Sequence, residues 1–298
     1  MYEDLGTLIG KGFRIWRNNL SLAMPFLLAG LALLLALAPT LLAVIYLVGT
    51  VNLEQLSETE LQAALLENIV PLALVGVLSL LAAGLVSSFF TAGAVGMASQ
   101  ANQESTTSLS TMWSSGRRYC LRMFAASVII GLMVIAGLLL LLAATAVLMG
   151  TSLQIDPGLL ANPQEIFQQP QMAAFVLALV SLMILFSLIL SLVTALVYYA
   201  LVIDDLGATR AIGVSIRFFW DNKFDVFIIW LIIIALSMAL SIPGQLSPTS
   251  SFASAWSAIN GIISVAVLSP LSAVWWARLY LSRTGKNLFK EDDWEYLR

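Results

Sequence analysis

The sequence predicts an all-α, polytopic integral membrane protein of six transmembrane helices with amphipathic surface helices on its cytoplasmic side. Three observations predict it. Of 298 residues, 60% are hydrophobic and only 10% are charged, against about 25% charged in soluble domains. The apolar residues gather into six stretches longer than the ~20 residues needed to cross a bilayer, or close to that length. All fourteen Lys and Arg residues fall on one side of that six-fold pattern. Basic residues near helix ends stay cytoplasmic, so both termini are expected inside, in the cytoplasmic membrane.

The six spans are expected near Ser21–Gly49, Ile69–Ser99, Cys120–Gly150, Met172–Ile203, Phe224–Ile242 and Ala255–Leu281. Their excess length predicts tilt, kinks at Pro39 or Pro270, or helices projecting beyond the hydrocarbon. Lys11, Arg14 and Arg17 precede the first span. Arg117, Arg118 and Arg122 separate spans two and three, and Arg210, Arg217 and Lys223 separate four and five. Arg278, Arg283, Lys286, Lys290 and Arg298 are counted as following the sixth. The opposite loops carry Glu54, Glu58, Glu60, Glu67, Asp156 and Glu165, and no charge separates spans five and six. The first apolar stretch is too long for the h-region of a signal peptide. Ala36-Leu37-Ala38 resembles a cleavage site, but Pro39 follows and the apolar run continues, so a retained helix is expected.

Surface helices are predicted wherever apolar residues recur at spacings of three and four. Tyr2, Leu5, Leu8, Ile9, Phe13, Trp16 and Leu20 form the first such face. Leu109, Met112, Trp113, Gly116, Tyr119 and Met123 form the second, after the capping cluster Ser105-Thr106-Thr107-Ser108. Leu206, Ile212, Ile216 and Phe219 form the third. Apolar faces of this width suit the acyl boundary, and their basic ends suit anionic headgroups.

The first and third of these segments align. Ile9 to Asn19 lies over Ile212 to Asn222 with four of eleven positions identical, and Gly116-Arg117-Arg118 matches Gly12-Phe13-Arg14. Arg14, Arg118 and Arg217 are thereby 104 and 99 residues apart. A single membrane domain, 1–298, is expected to consist of three tandem units, 1–100, 101–203 and 204–298, each a surface helix and two spans. The run from Ile203 to Arg217, with the opening Gly12-Phe13-Arg14-Ile15-Trp16-Arg17-Asn18-Asn19, resembles the six-helix membrane domain attached to some glycerophosphoryl diester phosphodiesterases and its stand-alone archaeal and bacterial relatives. No phosphodiesterase domain accompanies it and the chain has no His, so that hydrolase activity does not carry over.

Candidate chemistry is sparse. Gly6-Thr7-Leu8-Ile9-Gly10-Lys11-Gly12 is one residue short of a phosphate loop, lacks its Ser or Thr, and follows no strand. Asp204, Asp205, Asp221 and Asp225 are weak metal candidates, since carboxylate oxygens suit hard cations. Ion pairs with Arg210, Arg217 and Lys223 are the plainer expectation. Cys120 is a small apolar residue at a helix end, and the segment 290–295 is a solvated tail. Asn260, with Gly84, Ala92, Gly93 and Gly96, is expected to serve helix packing, and no ionisable residue is placed mid-span, which disfavours an ion-coupled relay.

The expected function is therefore non-enzymatic: a lipid-binding scaffold or accessory subunit, with membrane lipids and other membrane subunits as partners, and neither cofactor nor nucleic acid. Headgroup contacts are assigned to Arg14, Arg17, Arg117, Arg118, Arg122, Arg217 and Lys223. The alternative is a transporter or channel for an apolar or lipid-like solute.

Overall fold

A computed structural model describes residues 3–50, 58–152, 170–245 and 251–289. Every regular element among them is helical: α1 (Leu5–Asn18), a 3₁₀ turn (Leu20–Ala23), α2 (Met24–Thr50), α3 (Glu58–Glu104), α4 (Leu109–Ser152), α5 (Pro170–Thr194), α6 (Val197–Ile203), α7 (Ala208–Asp221), α8 (Lys223–Gln245), α9 (Ser251–Ile263), a π turn (Ser264–Leu268) and α10 (Ser269–Arg283). Six helical stretches are long and apolar enough to cross a membrane: Leu20–Tyr46, Ile69–Glu104, Leu109–Thr145, Ala173–Ile203, Lys223–Gln245 and Ser251–Arg283. That architecture fits a multi-pass membrane protein. Of the expected loops, 51–67 and 151–171, the parts at 51–57 and 153–169, with Glu54, Asp156 and Glu165, lie outside the described residues, as do Lys290 and the tail beyond it. Residues 58–67, expected as loop, are the first turns of α3.

Of the three segments expected as surface helices, only two are separate helices. α1 ends at Asn19, whose side-chain amide donates to the carbonyl of Ile15 at 3.0 Å. α7 ends at Asn222, whose amide donates to the carbonyl of Phe218 at 3.2 Å. The middle segment is not a separate helix. Met123 stands where the others carry Asn, it is fully buried, and α4 runs unbroken from the amphipathic stretch into the span. The helix that holds the third expected span therefore begins at Leu109, eleven residues before Cys120.

The three segments bury the same register. Asp4, Ser108 and Gly207 immediately precede them. Asp4 accepts from the Gly6 N–H at 3.0 Å, and the Ser108 hydroxyl accepts from the Thr111 N–H at 3.4 Å, which satisfies donors the first turn leaves open. Four, eight and eleven residues later the buried positions are Leu8, Gly12 and Ile15 in α1, Met112, Gly116 and Tyr119 in α4, and Ala211, Ser215 and Phe218 in α7. Each face meets the end of a different span. Gly12 approaches Trp275 of α10, whose indole N–H donates to the Ile9 carbonyl at 3.1 Å. Gly116 approaches Phe89 of α3. Ser215 donates to the Val193 carbonyl at 2.7 Å and accepts from the Leu196 N–H at 3.3 Å, filling the interruption between α5 and α6.

Those three spans end alike. Ser105, Asp205 and Gly285 follow α3, α6 and α10 in the left-handed region, with φ of 66°, 54° and 69°. At the last two, the N–H of the next residue reaches back five positions, from Leu206 to the Leu201 carbonyl at 3.1 Å and from Lys286 to the Leu281 carbonyl at 3.0 Å. This is the Schellman arrangement that satisfies terminal carbonyls.

The core lies at this end of the bundle. Ala92 to Ala101, Leu196 to Val202 and Leu271 to Leu281 supply most of it, enclosed by the buried faces of α1, α4 and α7. The opposite halves of the spans expose an apolar belt that includes Leu35 at 75% and Leu140 at 71%, far more apolar surface than a soluble monomer shows. Pro39 lies within an uninterrupted α2. Pro270 falls in the first turn of α10, just after the π turn, where the Ser269 hydroxyl donates to the Ser264 carbonyl at 2.9 Å. A widened turn accommodates the missing donor and the ring of proline.

Candidate functional site at the basic end

Every described cation lies at the end of the bundle that holds the core. Arg278 departs from the sequence expectation: counted with the residues beyond the sixth span, it is a fully buried residue within α10. Its guanidinium holds Glu3 in a two-pronged contact, Nε to Oε2 at 2.9 Å and Nη2 to Oε1 at 2.7 Å, and donates from Nη1 to Asn102 Oδ1 at 3.3 Å. Lys11 reaches the same Glu3 oxygen at 3.1 Å. Burial alone would raise the Glu3 pKa, but the contacts from Arg278 and Lys11 outweigh it and hold the carboxyl below its usual range. Asn102 donates to the carbonyls of Ala98 at 2.8 Å and Val274 at 3.2 Å. The N-terminal segment, α3 and α10 are thus joined through one buried polar group.

Three of the four Asp residues considered for a metal take separate partners, and the fourth stands apart. Asp205 receives Arg118 at 2.6 Å and Arg122 at 2.7 Å. The Arg118 hydrogen bond, with Arg122 behind it, holds its carboxyl below the usual range. Asp204 pairs with Lys286 and accepts the Tyr280 hydroxyl at 2.7 Å. Asp225 pairs with Arg283 at 2.7 Å, and Asp221 is exposed at the end of α7. Among the described residues no group of three or more His, Cys, Asp or Glu is placed to hold a metal. The cations that engage these carboxylates come from distant segments, in place of the neighbouring Arg210, Arg217 and Lys223 expected from proximity in sequence.

Of the seven residues assigned to headgroups, all are exposed. Arg118 and Arg122 are already engaged by Asp205. Arg17, Arg117, Arg217 and Lys223 make no ion pair among the described residues. Large aromatic side chains are exposed alongside them: Phe13 at 46%, Trp113 at 48%, Trp220 at 65% and Phe224 at 72%. The Lys223 ammonium lies 5.7 Å from the Phe224 ring centroid.

Sequence reasoning did not reach Arg278, Glu3, Asn102 or the left-handed caps. Arg278 carried one available signal, a charge three residues inside the predicted apolar limit at Leu281. Two recesses lie on the surface of the described residues. One, at the basic end between α3, α4 and α6, has a volume of about 390 Å³ and a largely polar lining; the other, of about 420 Å³, is an apolar groove between α2 and α9.

Neither a curated protein nor a solved structure matches the chain. A family model, described as a domain of unknown function, DUF7847, matches residues 8–279. That span runs from the first buried residue of α1 to the penultimate turn of α10 and takes in nearly all of the six long apolar stretches. The chain therefore belongs to the DUF7847 family.

Proposed function

We propose that the protein is a non-enzymatic scaffold or accessory subunit of the cytoplasmic membrane, built from three repeats and binding anionic lipid headgroups at its basic end. In this reading both termini face the cytoplasm. The observation that carries it is the set of exposed cations without an ion pair, Arg17, Arg117, Arg217 and Lys223, beside Phe13, Trp113, Trp220 and Phe224. Aromatic rings and basic side chains together favour the headgroup layer. The common register of α1, α4 and α7 supports the repeats, because it delivers those groups to one level.

Each basic residue near an anionic surface contributes about 1 kcal/mol. Replacing Arg17, Arg117 and Arg217 together by Glu is expected to reduce retention of phosphatidylglycerol in native mass spectrometry by at least about tenfold. The thermal unfolding temperature in detergent should stay within a few degrees of wild type, because none of the three holds an ion pair. Unchanged retention would overturn the reading.

The apolar groove favours a second reading, a lateral path for an apolar or lipid-like solute. It is lined by Phe26, Leu27 and Gly30 of α2 and by Ser257, Gly261 and Ile262 of α9 and the adjoining turn. Gly30 and Gly261 have open space where a side chain would stand, so replacing both with Leu would close it.

A further inference from the structure

The three spans that end in left-handed caps present different residues at matching positions. Nine residues before the cap stand Gly96, Leu196 and Trp276, and six before it stand Ser99, Tyr199 and Leu279. Leu196, Tyr199, Trp276 and Leu279 are buried and fill their places. In α3 the corresponding residues are small: Ser115 of α4 packs into the place of a side chain at Gly96, and a recess of about 390 Å³ opens beside Ser99. Its walls carry one charge of each sign, Arg118 and Glu104, with Gln100 and Gln103 between the ends.

The carboxamide of Gln100 is oriented by its neighbours. Its oxygen accepts from the hydroxyls of Thr107 at 3.1 Å and Thr111 at 2.6 Å, and its nitrogen donates to Glu104 Oε2 at 2.8 Å. One oxygen of Glu104 is thereby engaged, and Oε1 is left to accept from a ligand. Arg118 commits Nη2 to Asp205, and its remaining N–H groups can donate to a phosphate oxygen. A guanidinium forks onto phosphate, whereas a carboxylate takes an ammonium.

We propose that this recess binds a zwitterionic phosphate–ammonium group of the phosphoethanolamine type, with the phosphate at Arg118 and the ammonium at Glu104. The group is available as a lipid headgroup or as free phosphoethanolamine. The lipid form follows if the basic end lies at the membrane surface, and in that respect the inference rests on the function proposed above.

The test uses the full chain in detergent with equal phosphatidylethanolamine and phosphatidylglycerol, read by native mass spectrometry. Wild type should retain phosphatidylethanolamine preferentially. Glu104→Gln keeps an acceptor for Gln100 but removes the negative charge, and Ser99→Leu fills the recess as Leu279 fills its counterpart. Each should lower the ratio of the two retained lipids about tenfold, the effect of losing one charge-assisted hydrogen bond, without reducing phosphatidylglycerol. Soluble phosphoethanolamine should displace the retained lipid from wild type if the headgroup alone is recognised; no displacement would overturn recognition of the free group. A ratio identical in wild type and both variants would overturn the recess. If Ser99→Leu fails to fold, Glu104→Gln decides alone. Failure of the Arg17, Arg117 and Arg217 variant to shed phosphatidylglycerol would count against surface binding of anionic lipid, while the effect of Glu104→Gln still decides the recess.

Discussion

Arg278 shows how one residue joins distant parts of this chain. Its side chain is 1% exposed and that of Glu3 is 11% exposed, so neither charge is left to water. Removing one member of a buried pair strands the other, at a typical cost of about 3 to 5 kcal/mol. Glu3→Ala is therefore expected to lower stability by about that amount, less what water recovers at Arg278 and Lys11, as measured by thermal unfolding in detergent. Because the Glu3 pKa is lowered on folding from an ordinary value of 4.5, its contribution is fully present above that value. It is lost as pH falls through the folded value, where the carboxylate takes up a proton. Wild type should lose stability progressively as pH is taken below about 4.5, and Glu3→Gln should flatten that slope. Equal slopes in the two proteins would mean that other carboxylates govern the acid limb.

At the scale of the helix, the buried register of the amphipathic segments sets which glycines can be replaced. A Cβ added at Gly12 would lie 2.5 Å from Trp275 Cδ1, whereas one added at Gly10 meets nothing within 4 Å. Gly12→Ala should destabilise by about 1 to 3 kcal/mol through overpacking. Gly10→Ala, on the same helix, should stabilise by up to about 1 kcal/mol through helix propensity. Circular dichroism melts of the two variants give the comparison, and an equal shift in both would show that Trp275 moves aside. Spacings of three and four made these faces legible in the sequence, and the alignment of Ile9–Asn19 with Ile212–Asn222 reached the equivalent positions. The continuity of α4 was not legible. An amphipathic stretch followed by an apolar one reads the same whether the helix bends or runs on. The difference lies in Asn19 and Asn222, whose side chains bond to carbonyls of the preceding turn, against a buried Met123. The interruption at 195–196 was hidden too, since neither Gly nor Pro marks it and the stabilising hydroxyl belongs to Ser215, nineteen residues beyond Leu196.

Across the whole molecule, charge and core coincide. The segregation of Lys and Arg, read from sequence for orientation, marks the same end at which the three span termini pack against α1, α4 and α7. The ion pairs there were not legible from proximity along the chain, because Asp205 meets residues more than 80 positions away and Glu3 meets Arg278 across nearly the full length. The opposite halves of the spans bury little side-chain surface within the protein, so their environment must supply the apolar contact that the core supplies elsewhere. Placement in a bilayer satisfies both halves at once, and in the proposed function the basic residues set its sense. With Cys120 replaced by Ser, single cysteines at Arg17, Arg117 and Ser251 report that sense directly, since all three positions are exposed. In intact cells a membrane-impermeant maleimide should label the cysteine at 251. Those at 17 and 117 should react only after permeabilisation. Labelling of 17 and 117 from outside would invert the proposed orientation. It would also remove the cytoplasmic leaflet as the source of the anionic headgroups, because the exposed cations and aromatic rings would then face the other surface.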